Sequence, residues 1–244
     1  MKRLLLLLLT AMLGVAVAGP RDSACARAEY MFFNRHLNRT WLDSAYNLLG
    51  AAHAAQPTDE HLLYLWCRVH VQKGDNASTK AEKLMYFGGA KAIAETLIAL
   101  DDRCDEGHCW WGVAQGRIGE TRGVLNSLFM VSGLKKAFWR ALELNPSHPT
   151  ALDALGVLYY ELPGFAGGDL AKSEQYYKRG IESAPNYALL RLDLAKVYVK
   201  QKRWDAARAQ LDSLLATTEA KYPGDAELDD KPEARQLLKQ IEGK

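Results

Sequence analysis

One spacing pattern constrains this chain more than any other feature. Between Pro149 and Tyr187 a large-small pair, Leu155-Gly156, is followed by Tyr159, then by Ser173, Tyr177 and Gly180, and by Pro185. Residues 188–221 repeat the order without a gap, giving Leu194, Ala195 and Tyr198, then Ala207, Leu211 and Leu214. Upstream, residues 105–148 supply Trp111-Gly112, then Leu134, Phe138, Ala141 and Pro146. Residues 60–104 supply Trp66-Cys67, then Ala90, Ala94 and Leu97. Small side chains at fixed intervals let two antiparallel helices approach closely, and large ones between them fill the remaining space. A unit of this kind cannot bury its apolar face alone, so it has to stack on copies of itself.

The pattern resembles the tetratricopeptide repeat, a helix-turn-helix unit of about 34 residues. It implies an all-α, right-handed helical-repeat solenoid. Its boundaries are 60–104, 105–148, 149–187 and 188–221, preceded by an N-terminal helix pair within 19–57 and followed by a C-terminal capping helix within 222–244. The first helix of that pair is expected at about Asp22 to Arg35, and the second carries Ala45, Leu49, Ala52 and Pro57. Three repeats exceed the unit length, each in the turn between its two helices: Asn76 to Tyr86, Thr121 to Met130, and Pro163 to Gly167. Corresponding turns line up in a solenoid, so these insertions predict a loop-rich rim. The first could instead lengthen a helix. The second reads as a loop or short amphipathic helix, and Asp169 is expected to cap the helix after the third.

Residues 1–18 have a basic start (Lys2, Arg3), a short apolar run and the ending Ala16-Val17-Ala18. This is the pattern of a secretory signal peptide cleaved after Ala18, and the run is too short for a permanent membrane span. The expectation is a periplasmic or secreted protein. The chain has 31 basic and 29 acidic residues, and loss of Lys2 and Arg3 leaves it formally neutral, which argues against nucleic-acid binding. In an oxidising compartment Cys25, Cys67, Cys104 and Cys109 become disulfide candidates, with Cys104 and Cys109 the nearest pair and Cys67 a possible partner of Cys25 or a small core residue. Cys104 to Cys109, with His108 among them, lacks zinc-site spacing, so no metal is expected.

The run from Gly107-His108-Cys109-Trp110-Trp111 through Leu144-Asn145-Pro146 to Leu162-Pro163-Gly164-Phe165-Ala166-Gly167-Gly168-Asp169 is similar to two groups within this superfamily. One is the tetratricopeptide component of tripartite ATP-independent periplasmic (TRAP) transporters. The other is the regulator-of-microtubule-dynamics family, and the leader favours the exported group.

Tetratricopeptide arrays usually bind proteins or peptides on the concave face of their first helices. The resemblance places His61, Tyr64, Arg68, Arg117, Asp153, Tyr160, Glu161, Lys196 and Lys200 in that groove. Trp111 is expected in the core, Trp110 in the core or at the groove edge, and Trp139 and Trp204 in packing roles. No nucleophile, acid-base pair or phosphate-binding loop stands out, so neither catalysis nor a cofactor is expected. The reading is a non-enzymatic exported scaffold in an envelope assembly. The alternative is a small-molecule or lipid-binding accessory of a periplasmic transport system, holding its ligand under the Gly116 to Gly133 insertion.

Overall fold

A computed structural model describes residues 23–244, the side chains of 124–127 excepted. The expected leader lies outside the described residues. Helices pair in chain order: α1 (Ala24–Phe33) with α2 (Trp41–Ala55), α3 (Glu60–Asn76) with α4 (Lys80–Leu100), and α5 (Asp105–Arg122) with α6 (Val124–Leu144). They continue with α7 (Pro149–Glu161) and α8 (Leu170–Ser183), then α9 (Ala188–Lys200) and α10 (Trp204–Leu215). Three further pieces run on without a break: α11 (Pro223–Asp225), a π-helical turn (Ala226–Asp230) and α12 (Lys231–Gln240).

Local chemistry fixes the helix starts. The Asp59 carboxylate accepts from Leu62 N at 2.9 Å at the head of α3, and Thr79 and Glu82 exchange bonds in a capping box at α4. His148 Nδ1 accepts from Ala151 N at α7, and Asp169 caps α8 by accepting from the Ala171 and Lys172 amides. Each cap satisfies amides that the first helical turn leaves without partners.

The register residues pack as their sizes require. Ser173 Oγ donates to Gly156 O at 2.8 Å, and Cys67 Sγ to Ala90 O at 3.2 Å. A Cβ on Gly156 would lie 2.6 Å from the Tyr177 ring, and one on Gly112 would lie 2.5 Å from Phe138. The position facing each of these aromatics therefore needs hydrogen in place of a side chain. Tyr177, Leu155, Ala141, Leu211 and Leu214 are all buried.

Three expectations are corrected. The insertions form no continuous loop-rich rim: only Pro163 to Gly167 stays the expected turn, with a 3-10 helix at Gly164–Ala166. Asn76 to Tyr86 is a short link and a lengthened start of α4, the alternative expected for it, and Thr121 to Met130 extends α5 and α6 into a long hairpin joined through Gly123 alone, at φ 112°. Only one residue there interrupts helical pattern, and its left-handed backbone suits glycine. Met85 and Phe129 consequently stand out from the lengthened helices, Phe129 at 86% exposure. Trp111 and Trp139 are the second correction, whereas Trp110 takes one of its two expected places. Trp110 is buried while Trp111 is half-buried against α4, its Nε1 donating to Glu95, and Trp139 is exposed.

The cysteines are the third correction, since all four are free thiols. Cys104 sits at the N-cap of α5, where its Sγ accepts from Gly107 N, whereas Cys109 is sealed in a core with Phe138 and Leu155. Positions five apart at a helix start point to different faces, so neither sulfur reaches the other. Burial raises the Cys109 thiol well above the ordinary range. Cys67 is core, and Cys25 packs with the N-terminal helices.

Candidate functional site

The concave face is built from α3, α5, α7 and α9, and the end of the chain crosses it. After α10 the backbone is held by Lys221 N donating to Asn186 O at 2.9 Å and by Asn186 Nδ2 donating to Glu219 O. Pro223 and Gly224 then set the next segment against the other end of the array. A Cβ on Gly224 would lie 3.0 Å from Phe33 O and 2.8 Å from Arg35 Nη1, so only glycine allows this approach.

Arg35 and Arg68 receive the segment. Arg35 is buried and pairs with Asp225, and with Asp229 at 3.1 Å. Arg68, 5% exposed, pairs with Asp225 at 3.7 Å and donates to the Tyr64 hydroxyl at 2.9 Å. Its guanidinium lies 4.0 Å from the Tyr222 ring centre, 4.8 Å from Phe33 and 5.2 Å from Trp110. Cation-π attraction strengthens when water is excluded, as it is here. Burial pushes the Tyr64 phenol above its ordinary range despite the Arg68 charge.

Behind this contact lies a cavity of about 430 Å³, reached by Arg68, Arg117, Asp153 and Asp230 and walled by Trp110 and Tyr187. Arg117 pairs with Asp75 at 3.2 Å, and Lys196 with Asp193 and with Glu233 of α12, both at 2.9 Å. Asp153 and Asp193 are buried, and burial raises both carboxyls above the carboxylate range. Burial, together with repulsion from Asp225 and Asp193, lifts Asp230 to about 8.

These carboxyls give the fold a pH dependence. A carboxyl that binds its proton more tightly in the folded state makes stability fall as pH rises towards the folded value. Facing Asp230 are Asp153, Asp193, Asp225, Asp229 and the Lys196 ammonium. Between about pH 6.5 and about pH 8 the unfolding free energy of the wild type, read from urea melts, is expected to fall more than that of Asp230→Asn, by a difference on the order of 1 kcal/mol. Parallel losses for the two proteins would remove this role of Asp230.

Of the residues expected in the groove, Arg68, Arg117 and Asp153 reach one cavity, with Tyr64 and Lys196 beside it through Arg68 and Asp193. His61 stands apart, 3.4 Å from Glu29 of α1. Tyr160 and Lys200 form a separate pair, the ammonium 4.1 Å from the ring centre, and Glu161 is exposed at the end of α7. Sequence reasoning missed Arg35, Tyr222, Asp225, Asp229 and Asp230. The signal that could have found them is the acidic run after Tyr222-Pro223-Gly224, in a stretch whose pattern otherwise suggests only a cap.

The fold and this face define a tetratricopeptide-repeat scaffold suited to protein-protein interaction. The tetratricopeptide repeat pattern matches residues 165–221, and the pattern described as Regulator of microtubule dynamics protein 1-3 matches residues 32–165, more than half of the sequence. The chain belongs to the regulator of microtubule dynamics protein 1-3 family. It is 24% identical over 201 residues to regulator of microtubule dynamics protein 1 of Bos taurus, covering 74% of this chain and 62% of that one. It thus spans less than two thirds of the curated relative it matches. Among solved structures, a thermophilic TPR protein of Thermus thermophilus aligns with TM-score 0.65 at 18% identity, over 88% of this chain and 98% of that one. A structure of Pseudomonas aeruginosa pilF aligns with TM-score 0.51 at 14% identity, over 92% and 94%. Among the described residues no helix is long and apolar enough to cross a membrane.

Proposed function

We propose that this protein is a non-enzymatic docking scaffold whose concave groove grips an acidic, aromatic segment of a protein partner. The observation that carries this reading is the hold on its own residues 221–230: Tyr222 stacked on Arg68, and Asp225 shared between Arg35 and Arg68. A partner segment of the same chemistry would take the same place. The resident segment is tethered, and so present at a local concentration of order millimolar; a partner must outbind it or arrive when it is released.

The test is a labelled peptide of residues 218–232, titrated into the full chain and into Tyr222→Ala/Asp225→Asn, which weakens the resident segment and leaves Arg35 and Arg68 intact. At least tenfold tighter binding to the variant is expected. Equal affinities, or no binding to either, would sink the groove reading.

The leader pattern of residues 1–18 supports export to the periplasm or outside the cell, and with it a place in an envelope assembly. Intact-mass measurement should then find a chain beginning at Gly19, and a retained Met1 to Ala18 would refute export. For the small-molecule alternative, the expected apolar pocket lay under the Gly116 to Gly133 stretch. That stretch instead lengthens α5 and α6 and leaves Phe129 exposed, which favours docking.

A further inference from the structure

The cavity behind the C-terminal segment holds two carboxyls that no cation among the described residues meets in an ion pair. Most of the carboxylates around it are matched: Asp225 by Arg35 and Arg68, Asp229 by Arg35, Asp75 by Arg117, and Asp193 by Lys196 at 2.9 Å. Two carboxyls that line it, Asp153 from α7 and Asp230 from the π-helical turn, form no ion pair with any of these cations. Asp153 is 8% exposed, and its buried Oδ1 has no hydrogen-bond partner among the described residues. Asp230 is 4% exposed. The orphaned Asp153 Oδ1 costs on the order of 1 to 3 kcal/mol whether its carboxyl is ionised or protonated, and a donor group entering the cavity beside Asp230 would offset that cost.

The walls indicate what that group is. Trp110 and Phe32, whose rings already face the Arg68 guanidinium, border the same space with Tyr187, and aromatic faces attract cations when water is excluded. Among the described residues no three His, Cys, Asp or Glu side chains gather as metal ligands, and thiols and imidazoles do not line the cavity. Two carboxyls with aromatic walls suit a group that carries several N–H donors and a diffuse charge.

We propose that this cavity binds a small organic cation, an ammonium or guanidinium group held between Asp153 and Asp230 beside Trp110. The volume, about 430 Å³, accommodates a short alkyl chain carrying such a head. The same chemistry has two sources, a free amine or the side chain of a protein Arg that enters while residues 221–230 stay in place. Neither rests on the displacement proposed above, because Asp230 belongs to that segment.

The experiment is calorimetric titration of the full chain with agmatine and, separately, with the blocked peptide acetyl-Gly-Gly-Arg-Gly-Gly-amide, with 1-butanol as the uncharged control at matched salt. Saturable binding of one or both cations is expected, at least tenfold weaker in Asp153→Asn or Asp230→Asn. Each change keeps the side-chain shape, and either variant suffices should the other fail to fold. Binding of agmatine alone identifies a free amine as the source, and binding of the peptide alone identifies a partner side chain. Absence of saturable binding by both cations, equal affinity for butanol, or wild-type affinity in both variants would overturn the site. None of these results depends on whether the 218–232 peptide binds, so this site and the docking reading can fail separately.

Discussion

Replacing Arg68 by Ala is expected to destabilise the folded chain by about 3 kcal/mol, read as a lower denaturant midpoint. The guanidinium is 5% exposed and lies within 5.7 Å of the ring centres of Phe32, Phe33, Tyr64, Trp110 and Tyr222. Truncation removes this packing, leaves the Tyr64 hydroxyl without its donor, and strips one cation from Asp225. The loss stays near the lower end for a broken buried pair because Arg35 still holds Asp225. Arg68→Lys should recover only part of the difference, since an ammonium has no planar face to lay on Tyr222. A midpoint for Arg68→Ala within error of wild type would mean that the C-terminal segment does not rest on this residue.

A second large effect is expected at the centre of the array. Tyr177→Ala should cost about 3–5 kcal/mol, the range for emptying a buried aromatic site. Tyr177 is 1% exposed and its ring fills the space opposite Gly156. Gly156→Ala in the wild type should also destabilise, because the added methyl meets the Tyr177 ring at 2.6 Å. With Tyr177→Ala present, the same methyl enters vacated space. The double-mutant cycle should therefore show favourable coupling of about 1 kcal/mol or more. Additive losses in the cycle would mean that the two positions do not share one packing site.

These two sites differ in how legible they are in the sequence. Gly156 and Tyr177 belong to a spacing that recurs along the chain, and their contact lies between adjacent helices, so the periodic pattern carries it. The same register places Arg68 in the groove, but its partner Asp225 stands at the far end of the sequence. Repeat periodicity encodes contacts between neighbouring units and carries nothing about where the ends of a superhelix meet. The Trp110-Trp111 pair shows the same boundary. The register predicts Trp111 as the buried one. Trp111 is only half-buried, while Trp110, expected in the core or at the groove edge, is buried because its inward side meets Arg68 beneath the C-terminal segment.

The insertions and cysteines mislead for local reasons. Glycines at 116, 119, 123 and 133 suggest a loop, yet only Gly123 takes a backbone outside the helix. The others sit within α5 and α6, where long helices packed against neighbours tolerate them. Cys104 and Cys109 are close in sequence, but helix phase directs one to the cap and the other to the core.

By itself the sequence determined the repeat unit, the pairing of consecutive helices and the small-large contacts between them, because those are interactions at short separation with a fixed period. Only the tertiary structure decided that the groove holds its own C-terminal segment, with Arg35 and Arg68 on Asp225, and that Asp153 and Asp230 share a cavity behind it. The curvature accumulated over successive helix pairs sets the distance between the two ends of the array, and that sum is not written in any one repeat.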